Sequence, residues 1–348
     1  RKVQQLMLPL DDPNFEIYNR LFNHRFPKDI TRDLAKKEIY NFLNNKDCYL
    51  VGEKIECKYV AKYLKEFLKK FSKGLNSIEK LKNIKFNFSD CSIMNCVYAG
   101  AFLYSNRNIA DSTLFIGKLF NLRGNVIPTS IENKHLVALR ENGEMLYSEA
   151  EIVELRSNVR IERIFLLDES LPKESFEHFS NEEKRYYLDQ HNCHVPITQS
   201  VILALKQADI IIYAAGTQHS SLYPSYISKG LSETIANNKM ALKIFLTNIG
   251  ADYETPQYKA SDYFLGAYKY LNLTDSRNYS MEELFDYIFI NKMDNVNSSS
   301  YVKFDEELFN DIKVKKIIRN FESSSAPGKH DGDLLTKEIL DLSKKSCS

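Results

Sequence analysis

Ala208-Asp209-Ile210-Ile211-Ile212-Tyr213-Ala214-Ala215-Gly216-Thr217-Gln218-His219-Ser220-Ser221-Leu222-Tyr223-Pro224-Ser225 is the stretch on which the fold is read. A β-branched apolar run stops at small residues, crosses a hydroxyl-rich turn and restarts as a helix. A second unbroken apolar run covers 240–246, with a helical crossover over 230–237 between the two. Hydrophobicity that does not alternate implies strands buried on both faces, and therefore a parallel sheet with helices on each side. Residues 287–291 add a further strand. The expected class is α/β, a Rossmann-like doubly wound, mainly parallel sheet.

Ligands of open α/β sheets gather beyond the carboxyl ends of the strands. Free amides and the positive end of the next helix favour an anion there. Thr217, Ser220, Ser221 and Ser225 add donors without charge, which suits a phosphate or diphosphate. The same residues also serve as ordinary helix caps, and with the single Gly216 the turn is not a P-loop. The second strand ends in Thr247-Asn248-Ile249-Gly250-Ala251-Asp252-Tyr253-Glu254-Thr255. Asn248 both donates and accepts, and Asp252 and Glu254 are candidate ligands for Mg²⁺ on a diphosphate. Turn stabilisation by Asn and Asp side chains is the plain alternative.

Around this centre, residues 14–82 read as mostly helical, with 30–86 a helical insertion. The run 93–103, with Ala99, Gly100 and Ala101, suits a helix packed closely on a sheet. Ser92 or Asn95 caps its start. Asn142-Gly143 within 136–147 predicts a hairpin on a type I′ turn, and 160–167 a strand. Residues 168–195 form a polar excursion or lid, and 198–207 an amphipathic helix. Loops are expected over 294–300 and 322–329, a helix over 334–343, and a solvated helix face at Lys313-Val314-Lys315-Lys316. The whole chain, 1–348, is expected to be one large α/β domain.

Forty-seven basic against 46 acidic residues leave no field to draw nucleic acid or an anionic membrane. No apolar run approaches the roughly 18 residues that span a bilayer. Six scattered cysteines without a C-x-x-C pair read as reduced thiols, which points to the cytoplasm. His191-Asn192-Cys193-His194 invites a zinc reading but lacks a matching half-site.

Ala214 to Leu231 resembles the Gly-Pro-Gly-Ser-Leu-Tyr-Thr-Ser-Ile-Ile-Pro-Asn signature of the 2-phospho-L-lactate transferase family, which includes nucleotide-sugar-binding gluconeogenesis-factor proteins. Gly216, Ser221 and Pro224 match, and Ala214-Ala215 replace the first Gly-Pro. In the family's order follow Leu21-Phe22-Asn23-His24-Arg25-Phe26, Ser92-Ile93-Met94-Asn95, Leu122-Arg123-Gly124-Asn125-Val126-Ile127-Pro128, Thr247-Asn248 through Tyr258-Lys259-Ala260-Ser261-Asp262, and His330-Asp331. The family's opening Gly-Gly-Gly-Thr-Gly turn and Asp-Asp-Gly-Gly-Ser segment are not in this sequence, and Met94 and Cys91 replace its glycine and histidine.

The resemblance implies transfer of a phosphoryl-linked group from a nucleotide diphosphate conjugate to an acceptor hydroxyl, in a homodimer. Thr217, Ser220 and Ser221, with Gly216, would contact phosphate, while Ser92, Asn95 and Asn248 would orient nucleotide or acceptor. Asp252 or Glu254 would hold magnesium. The alternative is a non-catalytic regulatory protein that binds a UDP-sugar. The same crevice would serve both.

Overall fold

A computed structural model describes residues 1–292 and 299–346. Most of the loop expected over 294–300 lies outside the described residues, as does Cys347. The backbone divides into two compact units, Arg1–Ile131 and Glu132–Ser348, where the sequence reading has one domain.

The first unit is helical, as expected. Helices Phe15–Asn23, Arg32–Asn44, Lys58–Lys82, Ile93–Tyr104 and Ile109–Leu119 surround one core built on Phe22, Phe42, Leu64, Phe67, Val97 and Phe120. The Thr31 and Asn108 side chains accept the first free amides of the helices that follow them. A small hairpin, β1 (Tyr49–Leu50) and β2 (Glu53–Lys54), interrupts the helices. Along Lys58–Lys82, Val60, Leu64, Phe67, Leu68 and Phe71 form one buried stripe. Helix Ile93–Tyr104 packs on that stripe, where the sequence reading sets its small residues against a sheet. At Gly100 an added Cβ would stand 1.9 Å from the Phe67 carbonyl oxygen. The small residues therefore report close helix–helix approach.

The second unit opens with β3 (His135–Arg140), β4 (Met145–Leu146) and β5 (Ile161–Leu167), an antiparallel sheet in the order β4-β3-β5. The hairpin is present but its turn differs from expectation. Gly143 alone has positive φ (84°), and its N–H donates to the Arg140 carbonyl. This is a type I turn closed by a left-handed glycine, not type I′. Within 168–195, helix Asn181–His191 buries Leu188, and Phe176 is buried ahead of it, both in a cluster with Val137, Leu139 and Phe165.

Helix Gln199–Gln207, capped by Thr198, leads into the parallel sheet: β6 (Ile210–Tyr213), β7 (Leu242–Leu246), β8 (Tyr287–Asn291) and β9 (Lys315–Arg319), in that spatial order. Ile210 pairs with Leu242 and Tyr213 with Phe245, with helix Leu231–Asn237 as the crossover. The α/β class with a parallel sheet is as predicted. β7 is buried at every residue, whereas β6 is an edge and Ile212 is 45% exposed. The basic run at 313–316 leads into strand β9 instead of lying on a helix. It occupies the other edge, where Lys and Arg guard unpaired backbone. The stretch 322–329 is not a loop: β10 (Glu322–Ser323) and β11 (Ala326–His330) form a hairpin before helix Gly332–Ser346.

Candidate functional site

Parallel pairing of β6 and β7 sets their carboxyl ends side by side, so the turns 214–225 and 247–255 share one edge of the sheet. The Asn248 side chain joins them. Its Oδ1 accepts from the Gly216 N–H at 3.1 Å, and its Nδ2 donates to the Gly216 carbonyl at 3.0 Å. Asn248 thus braces the crevice through the peptide of the glycine it faces.

After Gly216 the chain makes one π-type turn, Gln218–Leu222, before helix Tyr223–Tyr226. Such wide turns recur at functional sites because they splay backbone groups outward. Here the splayed donors meet a carboxylate from the other turn. Glu254, only 4% exposed, accepts from the Ser220 N–H at 2.9 Å through Oε2 and from Ser220 Oγ at 2.5 Å through Oε1. The His219 N–H also reaches it. Burial raises the Glu254 pKa above the usual carboxylate value, and the Ser220 hydrogen bonds pull it back. The donors of this turn are thus satisfied by a carboxylate of the same chain. Asp252 Oδ1 in turn accepts from the Glu254 N–H at 2.9 Å.

Beneath the turn lies an aromatic floor. Tyr223 stacks on Tyr270 at 4.0 Å between ring centroids, and His219 meets Tyr223 edge-on at 5.0 Å. Burial lowers the His219 pKa to about 3, so the ring is neutral at physiological pH. Gln218 Oε1, His219 Nδ1, Tyr223 Oη and Tyr226 Oη are buried without a hydrogen-bond partner. Four unsatisfied polar atoms within nine residues are unusual in a native interior.

The structure therefore brings together Gly216, Thr217, Ser220, Ser221, Asn248, Asp252 and Glu254. Ser220 and Glu254 engage one another, and Asn248 engages Gly216. Ser221 is exposed and Thr217 half-buried. Ser92 and Asn95 belong to the first unit, at the start of helix Ile93–Tyr104. Asn95 is exposed there, while Ser92 is buried and its Oγ accepts from Arg1 Nη1 at 3.2 Å. Ser92 holds the N-cap position, but its side chain makes no capping hydrogen bond.

His330 was not among the expected site residues. Its half-buried ring bonds to the Thr247 backbone, and burial lowers its pKa. The Gly250 N–H donates to the Gly328 carbonyl at 3.1 Å, so the β11 hairpin walls the second turn. The only trace of this in the sequence was the late His330-Asp331 pair. The His191–His194 cluster does not assemble a metal site: Cys193 Sγ donates to Asp168 and His191 Nδ1 meets the Tyr187 carbonyl. Among the described residues, no group of three or more His, Cys, Asp or Glu is placed to hold a metal ion.

Known proteins fit this geometry. A protein from Thermotoga maritima named "Putative gluconeogenesis factor" is 23% identical over 63% of this chain and 59% of its own length. One of the same name from Aquifex aeolicus is 24% identical over 54% and 52%. The chain thus spans little more than half the length of these relatives. A solved structure of a upf0052-family protein from Bacillus halodurans superposes with a TM-score of 0.57 at 21% identity, covering 76% of this chain and 78% of that one. It shares the fold. The family model described as 2-phospho-L-lactate transferase CofD matches residues 3–322. Because that match runs over nearly the whole chain, the protein belongs to the 2-phospho-L-lactate transferase CofD family.

Proposed function

We propose that the crevice at the carboxyl ends of β6 and β7 binds the diphosphate of a nucleotide conjugate. As an enzyme, the chain would pass the distal phosphoryl-linked group to an acceptor hydroxyl. The acceptor oxygen bonds to the distal phosphorus and gives up its proton to solvent as the bridging P–O bond breaks, and a nucleoside monophosphate leaves. The observation that carries this reading is the pair of polar turns set side by side at the carboxyl ends of β6 and β7 and joined by Asn248 on the Gly216 peptide. Neither turn contains a Lys or Arg, so neutral donors at a helix start would carry the recognition. Thr217 and Ser221 extend the donor set, and His330 flanks it.

Magnesium was expected on Asp252 and Glu254. Both Glu254 oxygens accept from Ser220, and Asp252 Oδ1 caps the Glu254 amide. As arranged, the two carboxylates do not fit a dedicated magnesium site, and no step is assigned to the ion. That arrangement favours a second reading, a regulatory protein that binds a UDP-sugar without turning it over. A homodimer in the cytoplasm completes the proposal, and light scattering on purified protein tests the dimer.

The test of binding is a thermal-shift series with UDP-sugars, GDP derivatives and simple nucleotides, with and without Mg²⁺. Stabilisation by a diphosphate conjugate that is lost in Ser221→Ala and reduced in Asn248→Ala is expected. No stabilisation by any member of the series overturns the reading. Release of nucleoside monophosphate on adding an acceptor separates the enzyme from the sensor.

A further inference from the structure

The thiols of Cys91 and Cys96 lie 3.9 Å apart in the helical unit. Cys96 is 1% exposed in the second turn of helix Ile93–Tyr104, locked in the core. Cys91 is half-buried in the turn before the helix, one residue ahead of Ser92. The two environments differ in kind. The hydrogen bond from Cys96 holds the Cys91 thiol below its ordinary pKa, and the nearby Arg25 charge adds to the effect. That same bond, together with burial, pushes Cys96 up. Arg25 is itself fixed by a two-point pair with Asp90, at 2.7 and 3.1 Å. A half-buried thiol with a lowered pKa, in contact with a second thiol locked in the core, is the arrangement of an attacking and a resolving cysteine.

We propose that Cys91 and Cys96 form a reversible disulfide, driven by peroxide, that acts on the turn carrying Ser92 and Asn95. The Cys91 thiol gives up its proton and the sulfur attacks a peroxide oxygen; the O–O bond breaks, a sulfenic acid forms, and the departing hydroxide takes that proton to leave as one water. The Cys96 thiol then attacks that sulfur, the S–O bond breaks, and a second water departs. In total two thiols lose two electrons and one hydrogen peroxide becomes two waters. Bond formation shortens the sulfur separation from 3.9 Å to about 2.05 Å. Cys96 is held by the core, so Cys91 makes most of the move. Ser92 is its neighbour, and it bridges Arg25 through the backbone. The inference stands independently of what the crevice binds.

The experiment treats the reduced full chain with equimolar hydrogen peroxide, alkylates free thiols and maps the peptides by mass. A linked 91–96 peptide two hydrogens lighter is expected, reversed by dithiothreitol, while the half-buried Cys48 and Cys57 remain alkylated. In Cys96→Ser, dimedone should trap Cys91 as a sulfenic acid at least about tenfold faster than Cys48. Alkylation of both Cys91 and Cys96 after peroxide in the unsubstituted chain overturns the proposal, as does Cys91 reacting no faster than Cys48.

Discussion

Glu254→Ala tests whether the donors around Ser220 form an anion cradle. Glu254 is buried and receives the Ser220 amide, the Ser220 hydroxyl and the His219 amide. Truncation leaves these donors without their acceptor, at about 1–3 kcal/mol for each that cannot reach water. Against this stands the cost of burying a charge, visible in the raised Glu254 pKa. The net loss should be about 2–4 kcal/mol, which lowers Tm by roughly 5–12 °C in a unit of this size. The vacated donors are then open to solute. Phosphate at ten times its Kd would return about 1.4 kcal/mol to the variant by mass action. The assay is a pair of thermal melts, variant and parent, across a phosphate titration. Exclusion of phosphate from protein surfaces stabilises any folded chain, so the quantity of interest is the excess in the variant. Equal gains in both proteins would refute the cradle, whatever the loss in stability.

Other consequences can be measured separately. His219 has its pKa lowered by burial from 6.5 to about 3, so the unfolded chain takes up a proton that the folded chain refuses. Its contribution is complete above pH 6.5 and lost as the pH falls towards 3, at up to about 1.4 kcal/mol per pH unit. His219→Gln should flatten denaturant-derived stability between pH 6.5 and 4, and an unchanged slope would count against the assignment. Asn248→Ala removes both hydrogen bonds to Gly216 and should cost about 1–2 kcal/mol. A loss below about 0.3 kcal/mol in urea unfolding would mean the brace is idle. Gly100→Ala sets a methyl group against the Phe67 backbone carbonyl, which cannot swing away as a side chain can. About 3 kcal/mol of destabilisation is expected by circular dichroism.

What the sequence determined by itself is what hydrophobic pattern encodes locally. Unbroken runs at 210–214 and 240–246 with a short crossover specify neighbouring parallel strands, and parallel strands bring their carboxyl-end turns together. The two candidate turns were legible as neighbours because both fall at that edge, whereas Ser92 and Asn95 lie in the first unit. Tertiary structure decided who pairs with whom. Glu254 caps a serine 34 residues away, and Asn248 grips a glycine 32 residues away. Neither partner can be named until the register of β6 on β7 is set, and a pattern of polar residues does not distinguish a metal ligand from a carboxylate satisfying a turn. The same limit hid the Lys315–Arg319 strand, since an edge is recognised by its lack of a neighbour. It also hid the packing partner of helix Ile93–Tyr104. Small residues announce close approach, but they do not say whether a sheet or a helix comes near.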